Sequence, residues 1–592
     1  MRQEMLFDLL NTLAGVSVVG AFLSLAFLFP EQAGYLTQAS RRLIRILPLF
    51  ILAWVIFAFG NLLATLANLF ELNIFDILDI TTIRSYATQT SLGKLQMFQV
   101  IAALLLLILL YTVKKTGGAV LGFLLSMSGL IAPIFQSHSS QAGSHGLAIG
   151  SLIIHVIALS CWVGAVTSLL FMENEVKKFA LSRISAIAKW SVVTVVISGV
   201  ISSLLRLGLS DAWLTTYGLL IIVKIALLSL VAVLAIRLRR NFKSKLIQFE
   251  VSLLAVVLGI GAMLSRFTPI VESELGFNRV RELVGVAMPP EPNWQRLLFE
   301  YEADALMLGI LIFATALYIK GVVLLSRRGV KWPIGRTLAF AFGISLLDYS
   351  TSGGLGLYGI FSFQYHMIAH MVLSMIAPIF IVLSAPITLA LRTLPQGRNS
   401  DERGIRGWFI SILHSKVSMI WTHPIVVLAI FDGSLFALYF TSLFGDLMSS
   451  HFGHLLMNLH FIGAGLLFFF VIVSVDPNPR RTHHLVRMVI LLAAMSIHAF
   501  FSVALMSSRT LIDGGYYELL ARPWATDLLA DQRAGASFGW AMGEIPILIA
   551  FIATFIQWIR TDAREAKRAD KNSDKNLAEY NDYLRQLADR DK

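Results

Sequence analysis

Cysteine is almost absent from this 592-residue sequence, in which Cys161 stands alone. One cysteine cannot form an internal disulfide, and it cannot build a thiolate cage around a metal. Charged residues are also scarce, at 14% of the chain, whereas soluble proteins carry about 25%. Any metal chemistry must therefore rest on histidine, methionine and carboxylate side chains.

Long apolar runs take the place of the missing charge. Hydrophobic residues make up 56% of the chain, and the mean hydropathy is +0.73. Runs of roughly 20 residues, the length that crosses a bilayer, recur from end to end. We predict an all-α polytopic membrane protein with about 15 transmembrane helices. The first run lacks a basic leader and a small-residue cleavage site, so we expect a retained helix.

The predicted spans share this length and apolar character, with two exceptions: 335–349 is short, and 43–69 is long and contains Pro48. In order they are 10–29, 43–69, 95–113, 117–135, 147–172, 187–206, 217–237, 247–267, 300–325, 335–349, 365–391, 424–443, 452–475, 484–507 and 538–559.

Lysine and arginine are divided unequally between alternate connections. One set of connections carries 27 of them and the other carries 11. Because cytoplasmic loops collect these residues, we predict an N-terminus outside and a C-terminus in the cytoplasm. The same asymmetry explains the net charge of +12 without a nucleic-acid partner.

The longest connection suggests where the chain divides. It is acidic and contains the sequence MPPEP at 288–292, which is typical of a boundary between modules. We predict an eight-helix membrane domain, an extracytoplasmic linker, a seven-helix membrane domain and a charged cytoplasmic tail that is a solvated helix or a disordered extension. Their ranges are 1–268, 269–299, 300–560 and 561–592.

Two histidines open the apolar segment at 363–386. His366 and His370 are four residues apart, so a helix places both imidazoles on one face, where they can share a ligand. Met367 and Met371 repeat the spacing. Neutral imidazole with thioether suits copper, and soft sulfur favours Cu(I). A stripe of methionines alone more often fills the hydrophobic core than binds a metal. Ionisable residues in a membrane span are usually functional, so the histidine pair is the stronger signal.

Further candidate ligands lie in predicted outer loops, at outer span ends or within spans. Helical phase turns His460 away from His454, so we expect His454 to join the pair. A lone intramembrane histidine is also a common interhelical hydrogen-bond partner, and both interpretations stay open for His155 and His498. The full set of further candidates is His138, His155, His451, His454, His460 and His498.

Three carboxylates are candidates for orienting a ligating imidazole through its second ring nitrogen. They are Asp432 within a span, Asp531 in an outer loop, and Glu544 early in the last span. A structural ion-pair role for Asp432 and for the intramembrane Lys224 is the alternative.

The order of motifs in the second half resembles the CtaG family of cytochrome c oxidase assembly proteins, of the caa3 type. The resemblance implies a role in delivering copper to the oxidase copper centre, or in assembling that centre. Its pieces are FQYHMIAHMVLSMIAP at 363–378, the histidines at 451, 454 and 460 followed by GAG at 463–465, DPNPRR at 476–481, and DQ at 531–532 leading to WAMGE at 540–544.

The first half is similar to the CopD copper-resistance membrane domain. The matching sequence is IIHVIALSCWVGAV at 153–166, preceded by SHSSQAGSHG at 137–146, with Ala165 where that family has glycine. Together the resemblances imply a copper-handling fusion in a bacterial plasma membrane, as in actinobacteria, and not an enzyme. The implied partners are Cu(I) or Cu(II), oxidase subunits or an extracytoplasmic copper chaperone, and the bilayer.

Two alternatives remain at this stage. His460 and His498 have similar predicted depths in neighbouring spans, and paired histidines between helices can ligate haem. A haem-bearing redox protein is therefore one alternative, and a metal-free assembly scaffold is the other.

Overall fold

The computed structural model of the chain describes residues 2–136, 145–240, 244–265, 279–397, 402–480 and 482–590. Nearly all of these residues are helical, which confirms the all-α prediction. A helix satisfies its own backbone hydrogen bonds, as apolar surroundings require. Two short strands, Glu31–Gln32 (β1) and Tyr35–Leu36 (β2), pair antiparallel, with Glu31 opposite Leu36 and Gln32 opposite Tyr35.

The first twelve helices lie between residues 2 and 327, and a π-helical segment, Ser24–Leu28, follows the first of them. Helices α1 to α12 are Arg2–Leu23, Gln38–Leu69, Ile80–Gln89, Ser91–Leu110, Thr116–Ile131, His145–Leu169, Asn174–Leu207, Thr216–Arg240, Ser244–Leu264, Arg279–Val284, Trp294–Phe299 and Ala305–Arg327. Three 3₁₀ segments also occur in this part: Ile74–Ile77, Ala132–Gln136 and Asp211–Leu214.

The remaining helices are more often broken into short pieces. Helices α13 to α26 are Ile334–Thr351, Gly354–Phe361, Phe363–Met371, Ala377–Leu383, Pro386–Thr393, Gly404–Leu413, Lys416–Trp421, Pro424–Leu428, Ser434–Tyr439, Leu443–Met448, His451–Val473, His484–Met506, Tyr516–Leu520 and Leu528–Arg590. A π-helical segment, Val372–Ile376, joins α15 to α16, and another, Ala429–Gly433, joins α20 to α21.

Thirteen helical segments of the described residues are long and apolar enough to cross a membrane, and each overlaps a predicted span. The other two predicted spans, 335–349 and 424–443, correspond to α13 and to the shorter apolar helix Pro424–Tyr439. Large apolar side chains such as Leu49, Ile108 and Phe500 are exposed on the helices, where lipid would cover them. The chain is a multi-pass membrane protein.

The helices pack into two compact units. The N-terminal unit comprises Met1–Pro290, Tyr301–Ala316 and Leu394–Phe409, and the C-terminal unit comprises Glu291–Glu300, Leu317–Thr393 and Ile410–Lys592. The domain boundaries predicted from the sequence, at residues 268, 299 and 560, stay predictions.

Each unit has a different central helix. In the N-terminal unit α1 packs against α2 and α6, with Trp54 and Trp162 fully buried. In the C-terminal unit α26 packs along α24 and α15, while α16 packs against α13 and α23. Helix α26 continues to Arg590, so the described part of the predicted cytoplasmic tail is helical, and nearly all of the side chains described there are exposed. The helices α15, α23, α24 and α26 carry most of the candidate site.

Candidate metal centre

Helix α15, which carries the histidine pair, is anchored at its start by a carboxylate from another helix. The first N–H groups of a helix have no partner within it. Asp531 of α26 accepts hydrogen bonds from the Phe363 N–H at 2.9 Å and the Gln364 N–H at 3.4 Å. It also accepts one from the Ser362 hydroxyl at 2.8 Å. Asp531 therefore contacts the backbone of this helix, and stabilises its positive end.

A buried arginine holds that carboxylate in place. Arg522 Nη2 lies 2.8 Å from Asp531 Oδ2, and Nη1 donates to the Phe361 carbonyl at 2.7 Å. Both side chains are almost completely buried. A buried pair with additional hydrogen bonds is rigid, and removal of either partner leaves an uncompensated charge.

Two tyrosines from the segment after α24 bind to the chain just before α15. Tyr516 donates to the Ile360 carbonyl at 3.1 Å, and Tyr517 to the Gly359 carbonyl at 3.5 Å. Burial raises the pKa of both hydroxyls, so they stay protonated donors. The entry to α15 is thus fixed by this segment as well as by Asp531.

The histidine pair lies on α15 as its spacing predicts. The imidazole centroids of His366 and His370 are 3.9 Å apart, and each residue is only 1% exposed. The π-helical segment Val372–Ile376 follows at once. Such segments are rare and occur frequently at functional sites.

A third histidine comes from α23. The side chain of Ser450 caps this helix by accepting from the Gly453 N–H at 3.0 Å, and His454 lies in its first turn. The ring of His454 is centred 6.0 Å from that of His366 and 6.5 Å from that of His370. One ligand atom from each of the three lies within 4.8 Å of the others. Within the described residues, this three-histidine group is the only set of three or more His, Cys, Asp or Glu side chains that meets that distance.

The hydrogen bonds of the rings differ. The buried Nε2 of His366 has no hydrogen-bond partner and is available to a ligand. His370 Nε2 lies 3.2 Å from Asn458 Oδ1, and its Nδ1 lies 3.1 Å from the Tyr439 hydroxyl. Because Oδ1 only accepts, Nε2 carries the proton and Nδ1 accepts from the tyrosine. Metal binding by His370 must replace one of these bonds.

Aromatic rings surround the group. The ring of Phe444 is centred 5.1 Å from that of His366, and the ring of Phe461 lies 4.3 Å from that of His370. Such a shell limits access of water and leaves neutral imidazoles as the donors. The arrangement can hold a metal ion of low coordination number.

The two candidate methionines are fully buried on α15. Met367 packs against Gly539 of α26, where a Cβ would lie 3.3 Å from its Sδ. This thioether therefore lies on the side of α15 that faces α26. The ligand roles of Met367 and Met371 stay predictions.

The other candidates on α23 and α24 are placed apart from the three-histidine group. His451 is the first residue of α23 and is partly buried, whereas His460 is exposed. His498 is fully buried and its Nδ1 lies 3.7 Å from Asp432 Oδ1. Glu544, on α26, is close enough to act electrostatically on both. The structure thus places Asp432 beside His498.

In the N-terminal unit only part of the predicted site lies in the described residues, because His138 is outside them. His155 is buried, and its Nδ1 lies 3.0 Å from the Ser198 hydroxyl. Its Nε2 has no hydrogen-bond partner, and Lys224 acts on it electrostatically. His155 is thus both a hydrogen-bond partner between helices and a residue with a free ring nitrogen.

The neighbouring motif in that unit serves helix packing. Gly164 of α6 lies so close to Gly20 of α1 that a Cβ on Gly164 would come within 2.6 Å of the Gly20 Cα. Trp162 and Ala165 are fully buried beside it. The glycine of the motif therefore permits a close crossing of α1 and α6, and the tryptophan is buried beside it.

Several residues of the candidate site were not predicted. Asn458 has a sequence signal, since it follows His454 by four residues on α23. Tyr439 and Arg522 have none, because they come from distant parts of the chain. Asp476 of the DPNPRR motif was noted only as part of that motif. It accepts from the Ile387 N–H at 3.1 Å and the Thr388 N–H at 2.7 Å, and so caps α17.

Three family descriptions match separate parts of the chain. Residues 316–561 match the cytochrome c oxidase caa3 assembly factor family. Residues 179–264 match copper resistance protein D, and residues 5–147 match the N-terminal domain of copper resistance protein D-like proteins. Both resemblances noted in the sequence are thereby confirmed, and the three-histidine group lies within the first match.

The curated relatives are mycobacterial. Proteins of Mycobacterium bovis, Mycobacterium tuberculosis and Mycobacterium leprae, each described as uncharacterised, are 36% identical to the chain over 310 residues. These residues are 52% of this chain and 47% of each relative, so the chain spans about half the length of the curated relatives it matches. No solved structure matches the chain.

Proposed function

The chain fuses a CopD-type domain to a CtaG-type assembly domain in the bacterial plasma membrane, and we propose that it handles copper for cytochrome c oxidase. His366, His370 and His454 bind the ion, and the C-terminal unit passes it to the oxidase copper centre as that centre is assembled. The observation that carries this proposal is the convergence of three imidazoles, those of His366 and His370 buried and that of His454 partly buried, whose ligand atoms lie within 4.8 Å of one another.

The donor set supports copper as the cargo. Imidazole suits copper, and among divalent first-row metals Cu²⁺ binds nitrogen ligands most tightly. Three neutral imidazoles add no charge, so they hold Cu(I) or Cu(II) without the thiolates that close a permanent site. An ion held by three exchangeable ligands can be released to an acceptor.

Release has a basis in the hydrogen bonds of His370. When no ion is bound, both of its ring nitrogens are satisfied by Tyr439 and Asn458. His370 therefore has no buried polar atom without a partner in this state. Binding exchanges one of these bonds for a metal–nitrogen bond, and transfer restores it.

The N-terminal unit supplies the ion in this proposal. His138 and His155 accept copper, from the medium or from an extracytoplasmic copper chaperone. The buried, unpartnered Nε2 of His155 supports this role, while Lys224 nearby opposes a cation there unless its amine is neutral.

The test is the metal content of the purified full-length protein. We expect the wild type to bind copper and the His366→Ala/His370→Ala variant to lose at least 90% of the ion at that site. His414→Ala is the matched control, because this histidine is exposed and lies outside the group. A double variant that keeps its copper, and still supports oxidase copper loading, contradicts the proposal.

An absorption spectrum of the same samples tests the alternatives. A Soret band that depends on His460 or His498 would favour the haem-bearing redox protein. Purified, folded protein with neither copper nor haem would favour the metal-free scaffold.

A further inference from the structure

The charged end of α26, residues 561–590, carries an apolar stripe on an otherwise polar helix. The large apolar side chains that are exposed there are Leu577, Tyr580, Tyr583, Leu584 and Leu587. Positions 577, 580, 584 and 587 are separated by steps of three, four and three residues, so their side chains share one face of the helix. This alternation is the heptad spacing of a helix that packs along a partner helix.

Charged side chains on the opposite face of this segment pair with one another. Lys575 Nζ lies 3.7 Å from Glu579 Oε1, and Arg585 Nη1 lies 3.3 Å from Asp582 Oδ1. At 3.6 residues per turn, these four residues lie roughly 120–180° around the helix from the middle of the stripe. The polar face therefore has ion-pair partners within the helix itself, whereas the apolar stripe stays exposed.

Lipid does not cover this stripe. The last large apolar residue before it is Ile559, and Leu577 comes 18 positions later, which is about 27 Å along the helix at 1.5 Å per residue. Ten charged residues lie between them, so the stripe belongs to the part of α26 that is in water. A contiguous apolar surface exposed to water is typical of a site that binds another protein.

The continuity of α26 identifies the partner helix. The segment continues an apolar stretch long enough to cross a membrane, within one helix. Two copies of the chain in one membrane therefore present their segments parallel and at the same height, so each stripe meets its own counterpart. We propose that residues 573–590 pair with the same residues of a second copy of this chain, as a parallel coiled coil of two helices.

The residues beside the stripe are complementary to themselves in this register. In a parallel pair, a residue just before one heptad faces the residue five positions later on the partner helix. Asn576 then faces the Asn581 of the second copy, and each amide can both donate and accept a hydrogen bond. Nearer the membrane, Asp562 faces the Lys567 of the second copy, so opposite charges meet.

The length of the stripe suits copies that share a membrane. Asp570 precedes Leu577 by one heptad, and two like charges at that position would repel, which limits the close pairing to residues 573–590. A coiled coil this short is weak between free helices. Copies held in one membrane meet at a raised effective concentration, so the short stripe is sufficient.

The test is cross-linking of the full-length Cys161→Ala protein in isolated membranes with a short bismaleimide. Ser573→Cys places a thiol in line with the stripe, one helical turn before Leu577. Lys575→Cys, two residues away on the opposite face, is the matched control. We expect a product of twice the chain mass from Ser573→Cys and little from Lys575→Cys. No metal takes part, so the result is independent of the proposed function.

Leu584→Glu, added to the Ser573→Cys protein, tests the stripe itself. Glutamate favours a helix as leucine does, but it places two like charges in the seam, so we expect the cross-linked product to fall roughly ten-fold. Gln586→Glu adds the same charge on the opposite, exposed face and should leave the yield unchanged.

Three results overturn the proposal. The first is equal cross-linking of Ser573→Cys and Lys575→Cys, which indicates random collision. The second is a yield that Leu584→Glu does not lower. The third is a product whose mass is not twice that of the chain, which means that a different protein covers the stripe.

Discussion

At the scale of single residues, the polar partners of His370 decide which nitrogen is free to bind an ion. Asn458 Oδ1 can only accept from the ring, whereas the Tyr439 hydroxyl can donate or accept. If Nε2 binds copper, Nδ1 becomes a donor and the Tyr439 hydroxyl turns to accept from it. Tyr439 therefore supports both the empty and the loaded ring, but Asn458 supports only the empty one.

Tyr439→Phe is expected to weaken copper binding roughly ten-fold, since loss of an outer partner of a ligating histidine typically costs 10–100-fold in metal affinity. The measurement is competition for Cu(I) with a chromogenic chelator. Tyr580→Phe, on the exposed end of α26, is the control. An unchanged affinity in Tyr439→Phe means that the hydroxyl takes no part in holding the ring.

The sequence predicted the three histidines of this site but not all of their polar partners. His366 and His370 are one turn apart on a single helix, so spacing alone brings them together. His454 was expected to join them from its predicted outer position. Tyr439 comes from a separate helix, and no local pattern indicates that its hydroxyl meets His370.

At the scale of elements, the start of α15 is stabilised by residues that are distant in the sequence. This helix opens the continuous helical segment Phe363–Leu383, which is long and apolar enough to cross a membrane. Its first N–H groups depend on Asp531, which in turn depends on Arg522. The positions of the histidines are therefore set by a segment about 160 residues further along the chain.

Asp531→Asn is expected to destabilise the protein by about 3–5 kcal/mol, because it leaves the buried Arg522 charge without its partner. Asp527→Asn is the matched control. Asp527 caps α26 by accepting from the Ala530 N–H at 2.9 Å and is exposed, so its loss should cost only about 1 kcal/mol. Thermal denaturation in detergent measures both. Equal shifts in the two variants contradict the assigned role of Asp531.

Hydropathy located the helices but not their internal breaks. The span predicted at 365–391 is one apolar run, yet the structure divides it into α15, a π-helical segment, α16 and α17. Ala385, between α16 and α17, has a φ of +53°. Asp476 then caps α17 from another part of the chain. Composition cannot predict such a break, because the residue that stabilises it is remote in sequence.

At the scale of the whole molecule, the side of the membrane on which each group lies decides what it can do. Thirteen long spans together with α13 and the helix Pro424–Tyr439 give an odd number of crossings if all of them cross. The uneven distribution of lysine and arginine then predicts a C-terminus in the cytoplasm. This orientation predicts that the first turns of α15 and α23, with the three-histidine group, lie towards the outer face.

Labelling of single introduced cysteines tests this orientation. The method is practicable because Cys161 is the only native cysteine that must first be replaced. In a Cys161→Ala background, Thr441→Cys should react with a membrane-impermeant maleimide on intact cells, since Thr441 is exposed just before α22 and α23. Ser573→Cys, on the exposed end of α26, should react only after permeabilisation. The background without added cysteine is the control. The reverse pattern would place the three-histidine group towards the cytoplasm, where an extracytoplasmic chaperone could not load it and copper would have to come from inside the cell.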